Sequence, residues 1–439
     1  MSRRRQEEPR EYEVVIERLS HEGRGVGHLN GKTVFVDGAL PGEHVLARVV
    51  RRHRRFDEAI TLTVEAAPAA SRVAPRCVHA ARCGGCSLQH LDPSAQLAHK
   101  QAVLLELLRH QAHIEPTELL AAVAGPAWAY RRRARISVRL LPKKDGVVIG
   151  FREKASHFVT DIDHCAVLVP SVGERIPALR TLIDGLSIKG DIPQLEIAAD
   201  DTQTLVLIRH LVAPTEADLE RMRIFEAETG LHLYLQAGSP ADSQPVSAPV
   251  DLQYRLDGLA YHFLPGDFVQ VNGAINPLLV ARALGLLAPE ADEDVLDLFC
   301  GLGNFTLPIA RRAASVVGLE GELGLVQRAQ ANAGINKLAN VRFEAADLFT
   351  EAGVARAATK SFPCVLLDPP RSGAELVLRA LNLATTRRIV YVSCNPVTLA
   401  RDAAILIHER GFTLRAAGVV DMFPHTAHVE SIAVFDATH

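Results

Sequence analysis

The alternation of apolar and polar positions changes character along the chain. Between residues 12 and 67 apolar residues come in short runs, Val14-Val15-Ile16, Val34-Phe35-Val36, 45–50 and 60–64, separated by glycine-rich turns. Strands this short and this closely spaced predict a small all-β barrel, with the Ala- and Pro-rich stretch 66–75 as a linker. Residues 94–112 place Leu97, Leu104, Leu105 and Leu108 in one stripe, which predicts a helix with Ser94 as its N-cap. Residues 140–260 read as mostly β-rich, with a Gly, Ser, Pro and Ala loop at 238–249. From about residue 290 the pattern becomes strand, helix, strand, with strands at 295–299, 316–320, 341–343, 364–368 and 389–392 and helices near 307–314 and through Asn332. That alternation predicts a doubly wound α/β sheet with ligands at the strand C-termini. The expected organisation is a barrel at 1–68, a β-rich central domain at 69–265 and an α/β catalytic domain at 266–439.

Composition sharpens this picture. The 439 residues are 48% hydrophobic, enough for two or three cores. Net charge is only −3, but residues 1–160 carry 26 Lys and Arg against 17 Asp and Glu, while the remainder carries 22 against 34. A basic front on an acidic body suits a polyanionic partner. The run 48–55 concentrates five arginines and a histidine in the barrel. In 130–140, strand period places Arg131, Arg133, Arg135 and Arg139 on one face and Ala134, Ile136, Val138 and Leu140 on the other, so one face packs and the other can meet nucleic-acid phosphates. The start, Met1-Ser2-Arg3-Arg4-Arg5-Gln6-Glu7-Glu8, has no apolar segment, and no stretch of about 18 apolar residues occurs. A cytoplasmic protein without a membrane partner is expected, and seven cysteines without a leader argue against a disulfide framework.

Three groups of residues carry chemistry. Cys77, Cys83 and Cys86, with glycines at 84 and 85, and the distant Cys165 form a candidate metal set, whose spacing alone leaves iron–sulfur and zinc both open. Gly301 and Gly303 in the loop 297–304 allow close backbone approach, and Glu320 ends the next strand, where it can accept ribose hydroxyls. Thr306 stands where a dinucleotide fingerprint needs its third glycine, which favours S-adenosylmethionine; Asp347 is then placed toward the adenine amino group. Cys394 closes the apolar run 388–393 and is followed by Asn395-Pro396, while Asp368-Pro369-Pro370-Arg371 closes a second strand. Cys300 and Cys364, inside or against apolar strands, read as packing residues. A methyl donor beside a strand-end thiol answers a definite problem, because C5 of a pyrimidine is a poor nucleophile. Thiolate addition at C6 makes C5 enolate-like, and a base must later remove the C5 proton, a task for which Glu430 is the candidate.

The segments 297–306, 368–373, 392–396 and Pro424-His425-Thr426-x-His428-x-Glu430 together resemble the RNA uracil-5-methyltransferase family, whose catalytic domain has a Rossmann-like class I methyltransferase fold. The N-terminal strands resemble a TRAM barrel, and the four cysteines resemble the [4Fe-4S] site of the branch that methylates 23S ribosomal RNA. The resemblance spans nearly the whole chain. It implies Cys394 as nucleophile and Glu430 as base; Gln270, Phe299, Asn304, Glu320, Asp347 and Asp368 at the S-adenosylmethionine site; Cys77, Cys83, Cys86 and Cys165 as cluster ligands; and Phe268 as a stacking residue beside Arg131, Arg133 and Arg135 on RNA. It also implies a target uridine that is single-stranded or flipped out, and a cluster that organises RNA binding without serving methyl transfer. No obligate protein partner is inferred. Transfer RNA enzymes of this chemistry typically lack the barrel and the cysteine set. RNA cytosine-5 enzymes place a cysteine directly after the Asp-x-Pro turn, where this chain has Arg371. A noncatalytic RNA-binding or ribosome-assembly protein would need neither Cys394 nor Glu430.

Overall fold

The computed structural model describes residues 11–66, 68–141, 146–238 and 242–438. The arginines of the N-terminal segment, Ala67 of the expected linker and 239–241 of the expected loop lie outside the described residues. Two compact units are formed. One takes the chain up to Lys100 with Glu153–Ser156 and Phe423–His428, and the other takes Gln101–Arg152, His157–Met422 and the chain from Val429.

The first unit contains a six-stranded sheet of β1 (Glu11–Val15), β2 (Arg18–Leu19), β3 (Gly25–Leu29), β4 (Lys32–Asp37), β5 (His44–Arg52) and β6 (Phe56–Val64), in the order β1-β5-β6-β4-β3-β2. Alternate residues of these strands, Val14, Val34, Val36, Val45, Ala47 and Ala59, join Ile16 and Ala39 in one core. Gly27 is required here, because a Cβ would stand 2.4 Å from the Val15 carbonyl oxygen of the packed neighbour. The β5–β6 pair shifts register at Leu46/Ala47 and again at Val49/Arg51. Helix α1 (Pro93–Leu107) continues as a wider turn over Leu108–Ala112 and ends at His113, whose φ is 57°. Its cap is not Ser94 as expected. The Asp92 carboxylate accepts the backbone N–H groups of Ser94 at 2.9 Å and Ala95 at 3.4 Å, which puts the cap two residues earlier and starts the helix at Pro93.

In the second unit, β7 (Glu118–Leu119) precedes a six-stranded sheet of β8 (Arg133–Leu141), β9 (Gly146–Gly150), β10 (Gln194–Ala199), β11 (Thr204–Arg209), β12 (His232–Gln236) and β13 (Gln244–Pro245), ordered β13-β12-β11-β10-β8-β9. Helix α2 (Pro170–Gly173) is a single turn, whereas α3 (Ile176–Asp184) packs on β9 and α4 (Glu216–Thr229) on β12. The β-rich expectation thus overlooked two helices. The second of them is started by a capping box between Thr215 and Asp218. A hairpin, β14 (Leu252–Leu256) and β15 (Leu259–Phe263), follows.

The remaining elements form the catalytic-type sheet: α5 (Ile275–Leu287), β16 (Asp294–Leu298), α6 (Thr306–Ala310), β17 (Ser315–Glu320), α7 (Leu323–Ile335), β18 (Val341–Ala345), α8 (Glu351–Ala357), β19 (Cys364–Leu367), α9 (Glu375–Ala380), β20 (Arg388–Ser393), α10 (Pro396–His408), β21 (Phe412–Val420) and β22 (Glu430–Ala437). Its order is β18-β17-β16-β19-β20-β22-β21-β7. Strands β16 to β20 are parallel, and β19 is buried throughout, the reason its sequence is continuously apolar. Periodicity missed two features: β22 inserts antiparallel between β20 and β21, and β7 from far upstream completes the edge. The β14–β15 hairpin is hydrogen-bonded to α7, Asn332 and Asn336 each holding the backbone of one hairpin residue, His262 and Ala260. Among the described residues no helix is long and apolar enough to cross a membrane.

Candidate active site

The insertion of β22 decides the site. Antiparallel pairing of β20 with β22 sets Ser393 opposite Ser431, so the residues just beyond, Cys394 on one strand and Glu430 on the other, share one end of the ladder. The Ser431 hydroxyl donates to the Ser393 carbonyl at 3.3 Å and fixes this corner. Asp368 follows β19, the next strand across, and its backbone N–H donates to the Leu298 carbonyl at 3.3 Å. Cys394 is partly exposed, whereas Glu430 is buried with 4% of its surface accessible.

Burial is the main cause that holds the protons on all three acidic groups. Burial pushes the Cys394 thiol up to about 11, helped by Glu430 and Asp368 and opposed by the positive charge of Arg371. Burial likewise drives the Glu430 carboxyl well above the ordinary carboxylate range, with Asp368 adding to the shift. Asp368 is raised to about 7 by burial. Cys394 directly precedes Asn395, the N-cap of the 13-residue helix α10, whose positive dipole end favours a thiolate.

The candidate cofactor loop lies at the C-terminal ends of β16 and β17. Phe299, Gly301 and Gly303 take positive φ values of 62°, 54° and 85°. Phe299, bulky and left-handed, marks a backbone constrained by its surroundings. Gly303 is required twice over, by its φ and because a Cβ would meet Leu307 at 3.1 Å and Phe343 at 3.2 Å. The Glu320 carboxylate accepts the Gly301 N–H on one oxygen and the Glu322 N–H on the other, both at 3.0 Å, which leaves it fixed at the strand mouth with lone pairs to spare. Asp347 is exposed in the turn after β18, its carboxylate accepting the Phe349 N–H at 3.0 Å, and the Phe299 and Phe349 rings are 5.7 Å apart. Gln270 donates to Asp368 at 3.4 Å. The Asn304 amide is paired with Asn276 in both directions, at 2.9 and 3.0 Å, and accepts the Tyr254 hydroxyl at 3.2 Å. These donors and acceptors fit a ribose and an amino-acid tail. Asp297, fully buried at the end of β16, accepts the Thr306 hydroxyl at 2.5 Å on one oxygen while its other oxygen has no protein partner; burial lifts this carboxyl to about 8.

The arginine strand is more divided than its period suggests. Ala134, Ile136 and Val138 are buried and Arg135 and Arg139 exposed, as expected, but Arg133 is half-buried and donates to the Pro265 carbonyl. Arg131 lies ahead of β8, bridged to Leu168 and Asn272, and Arg135 faces the Glu196 carboxylate of β10 at 3.4 Å. The carboxylate that faces Arg135 comes from the adjacent strand, which one strand's sequence does not reveal. Phe268 is 67% exposed, so most of its ring is open to solvent.

Cys83, Cys86 and Cys165 are buried and Cys77 is partly so, and the Gly85 N–H donates to the Cys83 sulfur at 3.4 Å. Thiols buried under an amide donor are the right chemistry for an iron–sulfur site. Among the described residues, however, no group of three or more Cys, His, Asp or Glu side chains is gathered closely enough to hold a metal ion. Cys300 and Cys364 are buried, and burial raises both thiols, in keeping with packing roles.

Several site residues carried no sequence signal. Asn276 and Tyr254 meet Asn304 only through tertiary contact, and Asp402 accepts the Tyr391 hydroxyl and the Ala374 N–H, both at 2.6 Å, from positions adjacent only in space.

Comparison with known proteins follows the same division of the chain. The sequence model for tRNA (Uracil-5-)-methyltransferases matches residues 249–437 and that for the TRAM domain residues 5–61. The chain is 52% identical, over 99% of its length and 99% of the relative's, to the 23S rRNA (uracil(1939)-C(5))-methyltransferase RlmD of Alkalilimnicola ehrlichii. It is 49% identical, over 99% and 100%, to the protein of that name in Hahella chejuensis. Among solved structures, the tRNA (uracil-54, C5)-methyltransferase of Pyrococcus abyssi in complex with S-adenosyl-L-homocysteine superimposes with a TM-score of 0.74 at 26% identity, over 97% of this chain and 100% of the other.

Proposed function

Because the chain belongs to the S-adenosylmethionine-dependent RNA uracil-5-methyltransferase family that includes the 23S rRNA (uracil(1939)-C(5))-methyltransferases, we propose that it methylates C5 of uracil 1939 in 23S ribosomal RNA through a covalent adduct with Cys394. The observation that carries the chemistry is the β20–β22 register, which puts a thiol and a buried carboxyl at one strand end beside Asp368.

A resting thiol near 11 is almost wholly protonated at neutral pH, so sulfur attacks C6 as its proton passes to solvent at this partly exposed position, with Arg371 and the α10 N-terminus stabilising the growing thiolate. The C6–S bond forms and the C5–C6 π electrons move toward the O4 carbonyl, which leaves C5 nucleophilic. Bound S-adenosylmethionine would supply the electrophilic methyl carbon: the C5–CH3 bond forms as the sulfonium S–CH3 bond breaks, and S-adenosylhomocysteine is the leaving group. After transfer, Glu430 takes the C5 proton; the C5–C6 double bond re-forms and Cys394 leaves. A carboxylate that burial makes reluctant to stay ionised is a strong base once it has lost its proton. Asp368, bonded to Gln270, sits between the cofactor side and the pyrimidine side and orients the base. Gln270, Phe299, Asn304, Glu320, Asp347 and Asp368 hold the cofactor. Because Cys394 approaches the ring from its face, the uridine must be unpaired or flipped out.

The finer assignments belong to the same proposal. Residues 1–68 and 69–265 bind RNA through the barrel, Phe268, Arg135 and Arg131, while Arg133, turned to a carbonyl, braces the sheet. Catalysis belongs to 266–439, with the β14–β15 hairpin tied to it through α7. Cys77, Cys83, Cys86 and Cys165 would hold a [4Fe-4S] cluster if it drew together thiols that stand apart in the structure; burial of three of them and the Gly85 donor support the reading, and no catalytic step passes through the cluster. The enzyme works in the cytoplasm, and no protein partner is required.

The deciding experiment is anaerobic incubation with methyl-labelled S-adenosylmethionine and unmodified 23S ribosomal RNA, nucleoside mapping by mass spectrometry, and Cys394→Ala in parallel. One 5-methyluridine at 1939, absent with the variant, is the expected result. Label only in transfer RNA moves the substrate, and no label in any RNA removes the enzymatic reading.

A further inference from the structure

Two strand-end loops meet at the site, and a single helix holds them together. The first two turns of α10 grip successive backbone groups of the loop after Asp368. The Asn395 side-chain N–H donates to the Arg371 carbonyl at 2.9 Å, and the Thr398 hydroxyl approaches the same oxygen at 3.3 Å. The Arg401 guanidinium donates to the Ser372 carbonyl at 2.9 Å, and the Asp402 carboxylate accepts the Ala374 N–H at 2.6 Å. Gly373 makes the grip possible: its φ is 79°, and a Cβ there would come within 2.4 Å of Arg401 and 2.7 Å of Asp402. Asp402 is anchored in turn by the buried Tyr391 hydroxyl of β20 at 2.6 Å.

Asn395 has the most connected position in this set. Its side-chain oxygen caps α10 by accepting the Val397 N–H at 3.2 Å, and its backbone N–H donates to the Ser393 hydroxyl at 3.1 Å. One residue thereby starts the helix, closes the turn that presents Cys394 and ties that turn to Arg371. We propose that Asn395 is a positioning residue for the covalent step: its amide N–H fixes the Arg371 loop against the nucleophile turn, so that Arg371 faces the Cys394 sulfur and Asp368 keeps its place beside Glu430. The assignment rests on the methyl-transfer reading above. Cys394 is faced by two acidic groups, Glu430 and Asp368, and by Arg371 and the helix N-terminus as the positive counterparts. A loosened Arg371 loop withdraws a cation while both acids remain, which disfavours the thiolate.

The test uses Asn395→Ser, because serine still caps a helix but is too short to reach the Arg371 carbonyl. Thr398→Val removes the hydroxyl that bridges the two loops, 3.0 Å from the Asn395 carbonyl and 3.3 Å from the Arg371 carbonyl, and serves as an independent variant should the first misfold. On the full-length enzyme, three quantities are read: turnover on 23S ribosomal RNA, KM for that RNA, and the pH profile of Cys394 alkylation by iodoacetamide. Asn395→Ser is expected to lower kcat roughly 10- to 100-fold with KM changed less than about threefold, and to shift the alkylation profile to higher pH. Thr398→Val shifts both in the same direction by a smaller amount. Asn395→Asp, which keeps the cap but offers a carboxylate in place of the donor, must not rescue. Wild-type kcat and an unmoved alkylation profile in folded Asn395→Ser overturn the proposal, as does equal loss of kcat with an unmoved profile, the signature of a merely structural cap. If the wild-type enzyme makes no 5-methyluridine, it is the methyl-transfer reading that fails, while the alkylation profile still reports on the tether.

Discussion

Replacing Glu430 with glutamine separates the two halves of the proposed reaction. The side chain is 4% exposed at the first residue of β22, and glutamine has nearly its shape, so the ladder and its core are kept. Proton removal from C5 is lost, whereas addition of Cys394 and methyl transfer are not. General-base catalysis is typically worth 10²–10⁴-fold, and turnover of Glu430→Gln should fall by about that factor. Because the step before the block still runs, one equivalent of methylated RNA should remain bonded to Cys394. The assay incubates enzyme, labelled S-adenosylmethionine and RNA, denatures the mixture, and looks for a protein–RNA species that carries label and whose digested peptide contains Cys394. Burst stoichiometry near one methyl per enzyme, with little later turnover, is expected. Turnover within about twofold of wild type would refute the assignment of Glu430, and lost turnover with no adduct would place Glu430 at or before the addition step.

Other outcomes follow from the same geometry. With the Cys394 thiol near 11, about one thiol in ten thousand is ionised at pH 7, so iodoacetamide alkylation of the resting enzyme should rise about tenfold per pH unit through pH 10; a plateau below pH 9 contradicts the burial argument. Glu320→Gln leaves one acceptor for two N–H donors and should weaken S-adenosylhomocysteine binding about 10- to 100-fold by calorimetry, and unchanged affinity would remove Glu320 from the cofactor site. Asp297 titrates near 8 when folded against an ordinary 3.8, so it keeps its proton while the unfolded chain loses its own. Its contribution to stability is full below pH 4 and is lost as pH rises to 8, by no more than about 6 kcal/mol. The amide of an Asp297→Asn variant has no such proton to lose, so the melting temperature of that variant relative to wild type should climb across that window, and a pH-independent difference would contradict the raised value. Cys83→Ser should weaken RNA binding while leaving S-adenosylhomocysteine affinity unchanged, and unaltered RNA binding counts against an organising cluster.

How far the sequence reaches depends on the range of the interaction that sets each feature. Short alternating runs before residue 65 specify barrel strands because period-two burial is local, and the continuously apolar strands β19 and β20 announce a buried parallel sheet for the same reason. Loop glycines 301 and 303 were legible because glycine takes a positive φ at no steric cost, and at Gly303 a Cβ would also crowd Leu307 and Phe343. Cys394 and Asp368 could be singled out at strand ends and Glu430 only as a carboxyl in a polar segment, and a family resemblance gave them roles. Their meeting was another matter. It depends on β22 entering between β20 and β21, a pairing over some forty residues that no local period encodes, and on burial raising all three acids together. The same holds for the Asn304–Asn276 pair, the Glu196 charge opposite Arg135 and the grip of α10 on the Arg371 loop. Residue types and periods determine which elements form and which side chains can do chemistry. Only the packed fold decides which of them share one low-dielectric corner, because desolvation and hydrogen-bond geometry exist only once distant segments have been brought together.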